Sequence, residues 1–118
     1  MVAVISHIVL LKPRADLTRE DRRGFVALFE RALREIPSVR GVRIGRRVAH
    51  GAAYESLARD GFELMAAIDF DDLAGLQAYL RHPAHQALGA RFYETLSAAA
   101  VYDFEMSGID GLQQLTDS

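Results

Sequence analysis

Two imidazoles and a phenol share one short run, Tyr79-Leu80-Arg81-His82-Pro83-Ala84-His85, and a third imidazole, His7, interrupts the apolar opening of the chain. An imidazole with a pKa near ~6.5 can remove an activated proton from a carbon between two carbonyls. A phenol near ~10 keeps its own proton at neutral pH and can donate to the enolate oxygen that results. Together they suffice for enolisation or an aldol-type ring closure. Each also has a structural reading: His82 as a helix cap, Tyr79 as packing, His85 bonded to a backbone carbonyl, and His7 as a satisfied core residue.

Pro83 cannot donate a backbone N–H and disfavours helix in the residue before it, so His82 should end one helix or cap the next. Pro83 itself suits the first turn of a new helix. From there His85, Leu88 and Phe92 fall at i, i+3 and i+7, which places the imidazole on the apolar stripe facing the core. Leu88 and Phe92 would then line whatever His85 faces, with His82 beside them.

Other chemistries find little support. His7, His82 and His85 could in principle supply three nitrogens to a metal, but His82 and His85 straddle a helix start and have no carboxylate beside them in sequence, so no metal or cofactor is expected. The chain has no cysteine, which excludes thiolate nucleophiles and disulfides. Gly41 and Gly45 lack the Gly-Lys-Ser/Thr ending of a phosphate loop, and Ser97 lacks a Gly-x-Ser-x-Gly context. A net charge of -2 gives no footprint for nucleic acid, and Arg22-Arg23 and Arg46-Arg47 read as solvated faces. No segment reaches the ~20 apolar residues that cross a bilayer. Met1 to Leu11 reads as a strand rather than a leader, and the expected location is cytoplasmic.

The elements that must hold these residues follow from periodicity. Val2 to Leu11 is apolar at both parities, so both faces of this first strand should be covered, one by the chain's own helices and the other by a partner subunit. His7 shares a face with Ile5 and Val9, and Ser6 lies opposite. Thr18 and Asp21 resemble a capping box opening a helix that ends before Pro37. Val42 to Val48 reads as a second strand with one wet or edge face, and Ala49 to Gly61 as a connection that reads first as a surface loop, its length also suiting a lid or rim. Phe62 to Phe70 alternates as a third strand. Asp71 or Asp72 caps a short helix whose buried stripe is Leu73, Leu76 and Leu80, with Tyr79 beside it. A helix from Pro83 to about Leu96 and a strand from Ala99 to Met106 complete the domain, residues 1–106. The tail, 107–118, turns polar and should fray or wrap a partner. The order β-α-β-β-α-β predicts an α+β, ferredoxin-like fold, a four-stranded antiparallel sheet with helices on one face.

With its elements placed, the chain resembles the stress-responsive A/B barrel (Dabb) family. The residues that carry the likeness are the opening strand Ile5-Ser6-His7-Ile8-Val9-Leu10-Leu11-Lys12, the third strand running into a capped helix, and Tyr79 through His85. The resemblance implies a homodimer in which two such sheets pack face to face as a dimeric α+β barrel. From cyclising members it implies a cofactor-free polyketide cyclase or isomerase with His85 as base, Tyr79 as hydrogen-bond donor and His7 in the same cavity. A first-helix tyrosine of those members falls on Phe29 here, so the pocket is less polar and the ligand small and apolar or polyketide-like. The alternative is a non-catalytic stress-responsive binding or interaction protein. The missing Trp and the His-Pro-x-His run disfavour a monooxygenase of the wider barrel superfamily.

Overall fold

The computed structural model describes residues 4–57 and 61–117. The elements are β1 (Ile5–Pro13), α1 (Arg19–Glu35), β2 (Val39–Arg46), β3 (Leu64–Phe70), α2 (Leu73–Arg81), α3 (Pro83–Thr95), β4 (Leu96–Glu105) and α4 (Gln114–Asp117), with 3-10 turns at Ala53–Leu57 and Ile109–Gln113. All pairings are antiparallel and the strand order is β2-β3-β1-β4, so β1 and β3 are central. This is the expected ferredoxin-like arrangement.

Alternation divides each strand between two environments. Ile5, His7, Val9 and Leu11 of β1, and Ala66, Ile68 and Phe70 of β3, are buried with Phe25, Ala32, Leu76 and Leu88 from the helices. Each large apolar side chain so buried contributes roughly 1.5–3 kcal/mol. Among the described residues, no helix lies on the other face of the sheet. There Tyr102, Phe104 and Met106 are about half exposed and run beside Ile8 and Ser6 of β1. No helix among the described residues is long and apolar enough to cross a membrane.

Local chemistry explains the element boundaries. Thr18 Oγ1 accepts from the Asp21 amide and the Asp21 carboxylate accepts from the Thr18 amide, the expected capping box. Asp72, not Asp71, caps α2, accepting from the Gly75 amide at 2.8 Å. Asp71 instead pairs with Arg40. β2 starts earlier than expected because a register shift between Val39 and Gly41 lets the strand begin before Gly41. β4 also starts early, since α3 passes into it at Leu96 without a loop.

One other expectation is corrected. On α2 the buried residues are Leu76 and Tyr79, whereas Leu73 and Leu80 are exposed. The buried face is turned toward Tyr79, whose ring packs on Phe70 with centroids 5.1 Å apart. The connection after β2 forms a 3-10 turn at Ala53–Leu57, and none of its described residues lines the cavities beside α1 and α3. Residues 109–117 are wound into helical turns. Val2 and Ala3, expected in the first strand, lie outside the described residues.

Candidate active site

His7 stands directly opposite Asp103 in the β1–β4 register, so both side chains leave the sheet on the helix side. The imidazole is only 5% exposed, and its Nδ1 lies 2.5 Å from Asp103 Oδ1. A carboxylate accepts, so Nδ1 carries the proton and Nε2 is the ring nitrogen left for a ligand. Asp103 was not among the residues singled out from sequence. Its signal was available: it has the opposite parity to Tyr102 and Phe104, an acid on the core side of a strand.

Tyr79 and His85 reach the same place from two helices joined at one residue. The backbone N–H of His82 donates to the Tyr79 carbonyl and closes α2, while its Nδ1 accepts from the Ala84 amide at 3.0 Å and opens α3. His82 is extended, as a residue before proline must be. Its ring is thus occupied by capping and does not line the cavity, contrary to the expectation that it would.

The Tyr79 ring lies 4.7 Å from that of His85 and 5.8 Å from that of His7, measured between centroids. The three rings line one cavity of about 220 Å³ together with Phe29, Leu88 and Phe92. The side chain of Tyr79 is almost wholly buried, and burial pushes its pKa up to about 12. Its hydroxyl makes no hydrogen bond among the described residues. The His85 pKa is lowered, first by burial and then by the nearby His7, with a hydrogen bond to the Leu80 backbone acting the other way. At neutral pH the site therefore offers a neutral imidazole that can accept a proton and a phenol that holds one.

A larger groove of about 520 Å³ runs between α1 and β2–β3, lined by Phe25, Phe29, Leu33, Ile44 and Leu64. It holds no histidine or tyrosine, so size and chemistry point to different cavities, and the chemistry lies in the smaller one. Phe29 borders both. A second His–Tyr pair, His50 and Tyr54 at 2.9 Å, lies exposed on the β2–β3 connection, where Glu55 ties up the His50 and Gly51 amides. Among the described residues no cluster of His, Cys, Asp and Glu could hold a metal ion.

Against known proteins, the sequence model of the stress responsive A/B barrel domain matches residues 5–106. The chain belongs to that family. This Dabb chain is 20% identical over 100 residues to olivetolic acid cyclase of Cannabis sativa, covering 85% of this chain and 94% of the cyclase. Its fold is similar to that of a hydroxynitrile lyase from Passiflora edulis, with a TM-score of 0.76 at 14% identity over 92% of this chain and 97% of the lyase. It is also similar to a dimeric ferredoxin-like protein of unknown function from Bacteroides fragilis, with a TM-score of 0.60 at 26% identity over 87% of this chain and 96% of that one.

Proposed function

We propose that this Dabb chain acts as a homodimer whose protomers each bind a small, largely apolar carbonyl compound and catalyse its cyclisation or isomerisation without a cofactor. The observation that carries this is the convergence of His7, Tyr79 and His85 on one cavity, with the phenol hydroxyl unbonded. The likeness to a cyclase and a lyase is consistent with it, as is the dimeric state of the Bacteroides fragilis protein.

His85 removes a proton from the carbon between two carbonyls, and the electron pair moves onto the carbonyl oxygen, which Tyr79 O–H holds by a hydrogen bond. The enolate carbon then attacks a third carbonyl, further along the same molecule, forming a carbon–carbon bond that closes the ring. The new alkoxide takes the proton back from His85, so the step is an isomerisation overall. Tyr79 never ionises, which its raised pKa suits. His7, oriented by Asp103, presents Nε2 to the ligand as a second polar contact.

The cavity is smaller than the ~300–1,000 Å³ usual for ligand sites, which favours a compact substrate. The test is turnover on a panel of alkyl- and aryl-substituted 1,3-dicarbonyl compounds that carry a further ketone along the chain, read by NMR as ring closure and as deuterium exchange at the carbon between the two carbonyls. With His85→Ala the rate should fall ~100-fold or more, and with Tyr79→Phe by a smaller factor. Wild-type rates in both variants would overturn the acid–base assignment. Binding of the panel without any turnover would leave the non-catalytic reading.

A further inference from the structure

Beyond residue 106, where the match to the family ends, the chain continues as an arm. It follows directly from β4, whose Tyr102, Phe104 and Met106 lie on the face of the sheet that no helix covers. Ile109 and Leu112 are exposed by 82% and 61%, and in a 3-10 turn residues three apart stand one above the other. They therefore form one apolar edge. The turn is ordered by a bond from the Gly111 amide to the Gly108 carbonyl, and its principal tertiary contacts are with α4 rather than with the domain. A wound segment with an apolar edge turned to solvent is built to be covered.

We infer that the arm, residues 107–117, packs against a second copy of this chain and enlarges the dimer interface of the sheets; this rests on the dimer proposed above. Continuity argues for this occupant. The arm leaves β4 at the end of the uncovered row Tyr102, Phe104 and Met106 and adds Ile109 and Leu112 to it, so a second copy seated on that face meets the arm at its edge. The chain is also more extended than its length requires, with a radius of gyration of 16.0 Å against about 13.5 Å for a compact domain of this size.

The natural sequence has no cysteine, so Asp110→Cys gives a single thiol on the arm for a benzophenone label. Irradiation of the labelled full chain should give products of dimer mass, with the label mapped to the other copy by mixing isotopically light and heavy protein. Ile109→Ser with Leu112→Ser, in the full chain, should weaken the dimer at least tenfold by sedimentation while the circular dichroism spectrum of the domain is kept. A dimeric wild type that crosslinks only within a chain, or not at all, would overturn the arm's role and leave the dimer standing, as would an unchanged dissociation constant in the double variant. A monomeric wild type would remove the dimer reading and the arm with it.

Discussion

Tyr79 and His85 are held in the same protonation logic by burial, and its consequences run in opposite directions on the pH scale. For Tyr79 the neutral phenol is favoured in the fold, so the folded pKa of about 12 exceeds the ordinary 10.0. The stability this gives is complete below pH 10 and is lost as pH rises toward 12, by an amount on the order of 2–3 kcal/mol. For His85 the neutral ring is favoured, so its folded pKa is lowered and its contribution is complete above 6.5, then lost as pH falls through the lower folded value. Urea denaturation of wild type and Tyr79→Phe between about pH 9 and 11.5 checks the first statement. The stability difference between them should shift in favour of the variant as pH rises. A difference that does not vary with pH would mean the phenol is no more shielded than a surface tyrosine. Asp103 belongs to the same group, because it fixes the proton on Nδ1 of a histidine that water barely reaches.

At the level of elements, the junction at His82 decides where both rings point. One residue ends α2 and begins α3, and the change of direction there brings the rings of Tyr79 and His85 within 4.7 Å of each other. His82→Ala leaves the Ala84 amide without its acceptor and should cost about 1 kcal/mol, whereas His82→Ser retains a capping oxygen and should recover most of it. Thermal melts of both variants check this, and equal losses in the two would show that capping is not the role of the ring. The junction was legible in sequence because Pro83 restricts its neighbour whatever the tertiary setting. The capping box at Thr18 and the face of β1 that carries His7 were legible for the same local reasons. The buried face of α2 was not: Leu73, Leu76 and Leu80 form a good stripe on a helix this short, and only the position of Phe70 across the sheet selects Tyr79 instead. Asp103 shows by its parity as an acid on the core side of β4, but its pairing with His7 was not legible, since the two are separated by nearly the whole chain and only the β1–β4 register joins them.

The whole molecule is a single sheet under a single layer of helices, and its shortest extent is 20 Å. Such a protein has one surface its own chain does not cover, and here that surface is the row Ile8–Tyr102 and its neighbour Ser6–Phe104. One polar group there is already used: Ser6 donates to Asp69 at 2.6 Å, which removes the need for water on that hydroxyl. The apolar parity of β1 that suggested a partner in the sequence is therefore matched by β4 beside it, and the two strands form one patch. A charge at the centre of a patch buried between two copies would have no partner and would face its own image across a two-fold axis. Tyr102→Glu should accordingly convert a dimer to a monomer at micromolar concentration in a sedimentation experiment. It should leave the helix side of the sheet, and with it the cavity of His7, Tyr79 and His85, in place, so ligand binding to the isolated protomer remains measurable. Retention of the dimer by Tyr102→Glu would show that the copies meet through another surface, and the uncovered face of the sheet would then need a different explanation.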